Sequence, residues 1–384
     1  MLYFFLQPLA RSVKLFNLLN YITLRSAGAF VTALLVAFFV GPTIVRRLRA
    51  LAVNQVVREG TPASHAGKGT TPTMGGLIIL VATFVPVLLW GRFTWRRGGE
   101  YLVVASLLMA WMGGIGFLDD YLKLRQKRLG LKNEGLVERY KLAGQISAGV
   151  ILGLYVWLFP LSTLPGASTT LPFFKYTLIV PATGMLAWLY VGFVTFVLTG
   201  ASNAVNITDG LDGLATGLVG IAAATFAVFA YLMGRIDTSA HLLIFYVRGG
   251  GELTVFCAAI LGACIGFLWF NTFPAQVFMG DTGSLALGGA LGAVAILLKS
   301  EFLLLIIGGV FVAEMTSVIL QRGVYKFRKR TRGEDYAKAN RLFLRAPLHH
   351  HFELKGWPET QVVVRFWILG IFCAILALST LKLR

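Results

Sequence analysis

Charged residues are scarce in this sequence of 384 residues, and that scarcity sets its class. Only 14% of the chain is Asp, Glu, Lys or Arg, whereas 57% is apolar. A soluble domain carries about 25% charged residues, so the composition excludes an ordinary water-soluble protein. Cysteine is rarer still, because the chain has only Cys257, Cys264 and Cys373, all inside apolar runs and without metal-ligand spacing. Such thiols are typical of inert side chains that face the core or the lipid.

Several catalytic signatures are also missing. The sequence has no Cys or Ser nucleophile constellation, no arrangement of haem ligands and no dinucleotide-binding fingerprint. The net charge of +18 could indicate nucleic acid, yet no nucleic-acid motif is present and the basic residues lie in loops. We therefore interpret the positive charge as a topology signal that also attracts anionic lipid.

Long apolar runs, by contrast, recur along the whole chain. A helix that crosses the hydrocarbon core needs about 20 predominantly apolar residues. The sequence therefore predicts an all-α, polytopic integral membrane protein that forms a single transmembrane domain over residues 1–384. About ten transmembrane helices are predicted, at 21–45, 74–90, 101–118, 142–159, 174–199, 213–233, 253–270, 284–298, 302–321 and 361–380.

Loops that alternate between ten spans must face opposite sides of the membrane. One side, called face A, receives loops 46–73, 119–141, 200–212, 271–283 and 322–360, and face B receives both termini and the other loops. Most lysines and arginines lie on face A, so the positive-inside rule makes face A cytoplasmic and places both termini in the periplasm. Arg92, Arg96 and Arg97 are exceptions, since they fall on face B.

The aspartates have the same sidedness. Six of the seven in the chain fall in face A loops, together with the consecutive His349, His350 and His351, and only Asp237 is on face B. Loops that are far apart in sequence thus offer their acids and imidazoles to one membrane surface. The simplest interpretation is a cytoplasmic site built from all five face A loops.

The segment GFLDDYLK ends the third predicted span with two adjacent aspartates, Asp119 and Asp120. The C-terminal end of a helix already carries partial negative charge, so paired carboxylates there need a partner. One interpretation is a solvated helix end that Lys123 and Arg125 neutralise. The other is a divalent cation or a cationic substrate group between the acids, and Mg²⁺ typically takes one or two carboxylates plus substrate phosphates and water.

The segment NAVNITDGLDGLATG, residues 203–217, forms a polar, glycine-containing turn before the sixth predicted span. Asp212 could cap the next helix, with the glycines supplying left-handed geometry. Capping explains one acid but leaves Asn203, Asn206 and Asp209 unexplained. A helix start with free backbone N–H groups is also a place where a phosphate binds.

The segment NTFPAQVFMGDTGS, residues 271–284, has a similar design. Asp281 precedes Thr-Gly-Ser and a helix, so it too could be an N-cap. If the loop folds back on itself, Asn271 and Phe278 face the same pocket. Phe278 then either stacks on a base or packs between helices, and the sequence leaves both open.

Two other segments are polar for different reasons. HAGKGTTPTMGG, residues 65–76, offers Lys68 and several threonine hydroxyls to a polyphosphate, although it is not the P-loop pattern. APLHHHFELKGWPE, residues 346–359, carries the histidine triplet; in an extended segment neighbours point to opposite sides, so at most two could share an ion. Histidine is also a good partner for phosphate oxygens, and a plain surface triplet is the alternative.

Glu314 is the one acid within a predicted span. An ionisable residue inside the membrane is a functional candidate by default. Its place near the cytoplasmic half of the ninth span also allows snorkelling or a structural hydrogen bond. We leave it out of the predicted site.

Aspartates, amide and basic side chains and glycine turns at a membrane surface together indicate a Mg²⁺-dependent reaction of a phosphate ester. A membrane location further implies that one reactant is a lipid or a transported solute. A secondary transporter is the rival from another class, but transporters place ionisable sites near the bilayer midplane. Here the face A aspartates mostly flank spans at the surface, and no half-to-half repeat is present.

Beyond this chemistry, the motifs carry a family resemblance. GFLDDYLK, NAVNITDGLDGL, NTFPAQVFMGDTGS and PLHHHFELKGWPE resemble the signature segments of the polyprenyl-phosphate N-acetylhexosamine-1-phosphate transferases. The resemblance runs from about Thr61 to Pro358, and HHHFELKGWPE points to the muramoyl-pentapeptide branch. It implies transfer of phospho-N-acetylmuramoyl-pentapeptide from UDP-MurNAc-pentapeptide to undecaprenyl phosphate at the bacterial inner membrane, with release of UMP, and a homodimer. The alternative in the same class is a UDP-N-acetylhexosamine donor for another cell-wall polymer.

The resemblance also implies roles for particular residues. Asp119, Asp120 and Asp281 match the catalytic acids, Asp281 matches the Mg²⁺ ligand, and His349 matches a histidine required for activity, with His350 and His351 beside it. The segment RKRTRGEDYAKANR, residues 328–341, is longer than the family norm and reads as a solvated insertion. The positions that match the nucleotide and phosphate pocket, with Phe278 stacking on uracil, are Lys68, Thr73, Lys123, Asn206, Asp209, Gly210, Leu211, Asp212, Asn271, Phe278 and Gln321.

Overall fold

Long apolar helices make up nearly all of the structure. A computed structural model of the chain describes residues 2–11, 13–50, 71–94, 98–129, 135–160, 164–174, 178–179 and 186–381. Within these ranges the one sheet is a two-residue antiparallel ladder in which β1 (Thr169–Thr170) pairs with β2 (Leu178–Ile179). The prediction of an all-α membrane protein is therefore confirmed.

The helices differ widely in length. The longer ones are α2 (Ile22–Ala50), α3 (Gly76–Trp90), α4 (Glu100–Arg128), α5 (Glu138–Leu158), α6 (Ala187–Thr208), α7 (Leu214–Met233), α9 (Gly250–Asn271), α10 (Gly280–Leu297), α12 (Gly309–Arg332) and α15 (Glu359–Ser379). The shorter ones are α1 (Leu2–Leu6), α8 (Ile236–Leu242), α11 (Glu301–Ile307), α13 (Glu334–Ala339) and α14 (Leu348–Leu354), and 3₁₀ turns occupy Gln7–Arg11 and Lys14–Asn20.

Every predicted span contains one of these helices. Among the described residues, eight helices are long and apolar enough to cross a membrane, and the bent pair α11 and α12 makes a ninth. The remaining predicted span, 74–90, corresponds to α3, which has only 15 residues and is therefore about 22 Å long. The number of spans thus agrees with the sequence pattern, with one helix short for a full crossing.

Two predicted spans differ from the structure, one in where it starts and one in being a single helix. The span predicted at 174–199 starts too early, because α6 begins at Ala187 and residues 178–179 form β2 instead. The span predicted at 302–321 is broken, because α11 and α12 meet at Gly308 at an angle of 86°. Hydropathy finds apolar residues in both places but does not encode the direction of the backbone.

Three predicted face A loops are also largely helical. Loop 322–360 is one of them, since it contains the end of α12 together with α13 and α14. Loop 119–141 contains the last turns of α4, which continues to Arg128, and loop 200–212 contains the end of α6, which continues to Thr208. Polar side chains on these turns end the apolar run before the helix itself ends. As a result Asp119, Asp120, Lys123 and Asn206 are held on helices, whereas Asp209 to Asp212 lie in the turn after α6.

The core of the bundle is formed by α9 and α10. In α10, 89% of the apolar window is buried, and in α9 78%. Glycine and alanine dominate α10, and small residues let helix backbones approach closely in a membrane. Gly288 lies against Ala201 and Ser202 of α6, and Gly289 lies against Met112 of α4. The small side chains thus hold α4 and α6 on two sides of α10.

Gly116 allows the closest approach between α4 and α10. A Cβ added at Gly116 would overlap the backbone carbonyl of Asp281, at the start of α10. Only glycine therefore lets the two helices meet at this level. The contact lies one turn before Asp119 and Asp120, and it brings those acids next to Asp281.

Buried polar groups at the opposite end of the bundle pair with one another. Arg25 donates to both carboxylate oxygens of Glu252, at 2.7 and 2.5 Å. Glu301 accepts hydrogen bonds from Thr169 Oγ1 at 2.6 Å and from the Tyr190 hydroxyl at 3.0 Å. Because burying a charge is costly unless it is paired, we interpret these contacts as interactions that stabilise the fold at face B.

The close approach at Gly116 predicts that alanine destabilises the protein at Gly116 but not at the nearby Gly114. Replacing Gly116 by Ala should lower the free energy of unfolding by about 1–3 kcal/mol, because overpacking forces α4 away from α10. Gly114→Ala on the same helix is the matched control, since nothing lies within 4 Å of its added Cβ. Thermal unfolding of the detergent-solubilised variants measures both, and equal losses at the two positions would contradict the proposed contact.

Candidate functional site

Three aspartates from two helices form the centre of the site. The carboxylates of Asp119, Asp120 and Asp281 each offer an oxygen within 4.8 Å of the others. Successive residues of a helix point about 100° apart, so Asp119 and Asp120 face different partners. Asp119 accepts a hydrogen bond from the backbone N–H of Leu136 at 2.8 Å. Asp120 faces α10.

Asp120 caps the N-terminus of α10. It accepts hydrogen bonds from the backbone N–H groups of Asp281 at 3.3 Å and Thr282 at 2.9 Å, and from the Thr282 hydroxyl at 2.7 Å. The first N–H groups of a helix have no partner within the helix, so this carboxylate satisfies them. Asp281 is not the N-cap that the sequence allowed, because it lies inside the first turn of α10.

The expectation that the acid pair sits at a helix C-terminus is therefore wrong. Helix α4 continues to Arg128, two turns beyond the pair, and the helix dipole acts mainly within the last turn. The two acids are instead directed at the positive N-terminal end of α10. The paired acids are therefore not repelled by the negative end of a helix dipole, as the sequence had suggested.

Two lysines lie among the carboxylates. Lys123 Nζ is 2.5 Å from Asp119 Oδ2 and 3.1 Å from Asp281 Oδ2. Lys141 Nζ, from the first turn of α5, is 2.5 Å from Asp281 Oδ2 and 3.8 Å from Asp119 Oδ2. Both ammonium groups therefore bridge the same pair of acids and offset their mutual repulsion.

The oxygen donors fit a hard divalent cation. Asp281 is the most open of the three acids, with 17% of its side chain exposed, and its other oxygen accepts from Asn206 Nδ2 at 2.8 Å. Asp120 has both oxygens engaged by α10, so it is less available as a ligand. Carboxylate oxygens at this spacing, together with water and substrate phosphates, are the ligands that Mg²⁺ prefers.

The turn between α6 and α7 is fastened to the loop that precedes α10. Asp212 accepts a hydrogen bond from the backbone N–H of Ala275 at 3.1 Å and does not cap α7. Asn271 Oδ1 accepts from the Gly213 N–H at 3.1 Å and from the Thr216 hydroxyl at 3.0 Å at the start of α7. These side chains hold the two loops together, and Gly213 has the positive φ of 79° that the turn requires.

Asp209 differs from the other acids of the site in its protonation state. It follows the last residue of α6 and is half-buried at the wall of the cleft. Burial, together with the nearby carboxylates of Asp281, Asp120 and Asp212, raises the pKa of Asp209 to about 8. Asp209 therefore keeps its proton at neutral pH and can donate a hydrogen bond, which an ionised aspartate cannot do.

The three histidines have different surroundings. They lie on α14 and not in an extended segment, so consecutive rings point about 100° apart. His349 is fully buried, and its Nδ1 is 3.2 Å from Glu314 Oε2. His350 Nδ1 is 2.7 Å from Glu353 Oε2, and burial lowers the pKa of His350. His351 accepts from the Leu344 N–H at 3.1 Å, so its Nδ1 is used outside the cleft.

A cleft of about 780 Å³ connects these groups. Most of the predicted pocket residues line it. Asp119 and Asp120 lie beside its wall, His351 does not line it, and Lys68 lies outside the described residues. The predicted residues that line the cleft are Thr73, Lys123, Asn206, Asp209, Gly210, Leu211, Asp212, Asn271, Phe278, Asp281, Gln321, His349 and His350.

The loop containing Phe278 folds back on the segment before α3. Phe278 donates its backbone N–H to Pro72 at 2.8 Å, and its carbonyl accepts from Gly75 at 2.8 Å. Thr73 and Phe278 both line the cleft next to this pairing. The side chain of Gln321 binds the backbone of Phe343. Its amide N–H donates to the Phe343 carbonyl at 3.1 Å, and its amide oxygen accepts from the Phe343 N–H at 2.9 Å.

Sequence reasoning missed four basic residues of the site. Lys141 was counted only as loop charge, although it contacts Asp281 directly. Arg322, Arg341 and Arg345 line the cleft from α12 and from the segment before α14. Basic residues are frequent in face A loops, so their position in the sequence gave no signal that separates these four from the others.

Residues 328–341 are folded. Lys329 and Lys338 pair with Glu334 at 2.6 and 3.0 Å, and Ala337 of α13 is fully buried. The segment thereby turns the chain from α12 back towards the cleft and delivers Arg341 to its lining. Most of its side chains are nevertheless exposed, as the prediction of a solvated segment requires.

Known proteins match this chain closely. Residues 102–299 match the family model described as glycosyl transferase family 4. A phospho-N-acetylmuramoyl-pentapeptide transferase of Gemmatimonas aurantiaca is 73% identical over 384 residues, which cover both chains completely. Proteins of the same name from Geobacter sp. strain M21 and Desulfotalea psychrophila are 49% and 47% identical, again over all of both chains.

The pKa of Asp209 predicts how stability depends on pH. The unfolded chain ionises this group near pH 4, at about the value of free aspartate, whereas the folded protein holds its proton until about pH 8. Stability should therefore fall as the pH rises through this window, and Asp209→Asn should flatten the fall. The measurement is the melting temperature between pH 5 and 9 in EDTA, so that no divalent cation competes.

Asp237→Asn provides the control for this measurement. Asp237 is exposed and hydrogen-bonded to Arg235, which lowers its pKa to about 2. Its contribution to stability is lost only below about pH 4, so Asp237→Asn should keep the wild-type slope above pH 5. A wild-type slope in Asp209→Asn as well would show that Asp209 is ionised in the folded protein.

Proposed function

We propose the function of this chain from its family: it belongs to the phospho-N-acetylmuramoyl-pentapeptide transferases. It transfers phospho-N-acetylmuramoyl-pentapeptide from its UDP donor to undecaprenyl phosphate, which gives lipid I and UMP. The observation that carries this proposal is the 73% identity over full length to a relative of that name. The convergence of acids and lysines at one cleft supplies a site of the right chemistry.

The cleft suits a sugar nucleotide. Phe278 offers a ring on which uracil stacks, and Thr73 and Asn206 line the wall beside it. Arg322, Arg341 and Arg345 bring positive charge to the same space, which favours an anionic diphosphate. The neutral carboxyl of Asp209 donates a hydrogen bond without adding repulsion. Gln321 contributes indirectly, because it holds the backbone at Phe343 beside these arginines.

Asp281 and Asp119 are the residues that would hold Mg²⁺, and Asp120 positions Asp281 through the start of α10. When bound, the ion supplies Lewis-acid stabilisation of the charge that develops on the diphosphate oxygens. Lys123 and Lys141 act on the same charge, since both reach Asp281 and carry flexible ammonium groups. The lysines thereby guide anionic phosphates towards the acids.

Transfer proceeds by direct attack of the acceptor. A phosphate monoester has a second pKa of about 6, so undecaprenyl phosphate is largely ionised at neutral pH and needs little help from a base. Its oxygen forms a bond to the phosphorus that carries the sugar, and the bond from that phosphorus to the bridging oxygen breaks and releases UMP. Asp119 removes any remaining acceptor proton. A phospho-aspartate intermediate is the alternative, but an ionised acceptor does not require one.

The site faces the cytoplasm of a bacterial inner membrane in this proposal. The excess of basic residues on face A supports the orientation, with both termini in the periplasm. The whole chain acts as one catalytic domain whose five face A segments build the site. The lipid reaches Asp119 through a groove between α4 and the α11–α12 pair, and the protein works as a homodimer.

A donor comparison tests the function. The purified protein in undecaprenyl phosphate vesicles with Mg²⁺ should release UMP from UDP-MurNAc-pentapeptide and should form the corresponding lipid. With UDP-N-acetylglucosamine it should release little. Product from the simple hexosamine donor alone would assign the chain to another cell-wall polymer. Solute uptake by the reconstituted protein without nucleotide would instead support transport.

Substitution of Asp281 provides a second test. Asp281→Asn should lower kcat at least about 100-fold and weaken the dependence of the rate on Mg²⁺. The reason is that it removes an anionic ligand of the Mg²⁺ that would stabilise the negative charge of the transition state. Asp237→Asn should leave both unchanged, since Asp237 pairs with Arg235 on face B. The readout is UMP release as a function of Mg²⁺ concentration. Equal losses in the two variants would place the site elsewhere.

A further inference from the structure

Glu314 is a buried acid that the reaction described above does not use. It lies on α12, just after the break at Gly308, and its side chain is completely buried. A buried carboxylate is costly unless its charge is paired, so its contacts indicate what keeps it there. Among the described residues, its carboxylate contacts are both to His349.

The two residues meet at two points. Glu314 Oε1 accepts a hydrogen bond from the backbone N–H of His349 at 3.1 Å. Glu314 Oε2 lies 3.2 Å from Nδ1 of the same imidazole. One carboxylate thus faces both the main chain and the ring of His349. If Glu314 only joined α12 to α14, the hydrogen bond to the backbone of His349 would be sufficient.

The opposite side of the imidazole faces the turn of Asp209. A Cβ added at Gly210 would overlap His349 Nε2, so this ring nitrogen lies directly against the turn. The ring is therefore held between Glu314 on one side and Gly210 on the other. Neither ring nitrogen has a hydrogen-bond partner among the described residues, although Nδ1 lies within ion-pair distance of the carboxylate. A proton on Nδ1 would face that carboxylate and would leave Nε2 as an acceptor on the Gly210 side.

We propose that Glu314 is a positioning residue for His349. It fixes the orientation and the tautomer of the imidazole, so that Nε2 faces the place where the donor diphosphate binds beside Asp209 and Gly210. Glu314 itself does not line the cleft and so acts only through His349. The proposal rests on the proposed function, because it assigns His349 a partner in that same site.

Kinetics of matched variants test the proposal. Glu314→Gln keeps the shape and removes the charge, so kcat should fall at least about tenfold while the KM for UDP-MurNAc-pentapeptide changes less than about threefold. Glu314→Asp should recover part of kcat, because it restores the carboxylate. Glu301→Gln is the control for loss of a buried carboxylate, since Glu301 contacts Thr169 and Tyr190 at the other end of the bundle.

The double variant separates positioning from structural support. If Glu314 acts through His349, then Glu314→Gln in a His349→Gln background should lower kcat no further. Additive losses, or a kcat loss in Glu301→Gln equal to that in Glu314→Gln at the same melting temperature, would overturn the proposal. Melting temperatures of all variants show whether each one is folded.

A spectroscopic measurement keeps the test independent of turnover. In protein labelled with ¹⁵N-histidine, the difference spectrum against His349→Gln identifies the His349 signals. We expect the chemical shifts of one tautomer protonated at Nδ1 in the wild type and a changed pattern in Glu314→Gln. Identical His349 shifts in both proteins would refute the pairing. If the wild type makes no product, the proposed function fails, while this comparison still decides about Glu314.

Discussion

The contact between Asp120 and the first turn of α10 is the interaction on which the site depends. It satisfies N–H groups that a helix start leaves without partners, and it fixes Asp281 beside Asp119. The absence of a side chain at Gly116 makes the contact possible. Two carboxylates about 5 Å apart repel each other by about 3 kcal/mol at an effective dielectric constant of 20. The cluster therefore forms only because α10 and the two lysines supply positive charge.

This balance of charge also prepares the cleft for its ligands. Asp119, Asp120 and Asp281 together with Lys123 and Lys141 formally leave one negative charge in excess, and a divalent cation would reverse its sign. The reversed charge attracts phosphates, which the unliganded cluster would repel. Face B differs, because its buried acids already have partners within the protein: Glu252 pairs with Arg25, and Glu301 accepts from Thr169 and Tyr190. On face A, Asp119 and Asp281 also have partners in Lys123 and Lys141, but the net negative charge of the cluster leaves room for a cation from outside.

Hydropathy and motif spacing predicted the parts of the structure that depend on local sequence. The apolar runs marked all ten spans, and the polar turns marked the segments that meet at the cleft. They did not predict the 86° break at Gly308, because glycine permits a bend but the packing of neighbouring helices sets its angle. They also placed helix ends too early, as in α4, because a helix continues past its last apolar residue when its polar side chains find partners.

Contacts between distant residues were the least predictable part. The pairing of Glu314 with His349 spans 35 positions, and neither residue shows from the sequence which partner it meets. The three histidines differ for the same reason: a helix turns each ring towards a different neighbour, and the sequence suggested an extended segment. A correct helical assignment would have separated the rings by direction but would not have named their partners.

The bend at Gly308 affects the position of the whole face A segment after α12. Bent by 86° relative to α11, α12 carries Glu314 and Gln321 alongside the chain that returns to α14. Gln321 holds Phe343 and Glu314 holds His349, so the returning segment is fastened near both of its ends. Arg345 lies between these two points and lines the cleft. The position of these charges therefore follows from side chains on α12, because the segment has little secondary structure of its own to define it.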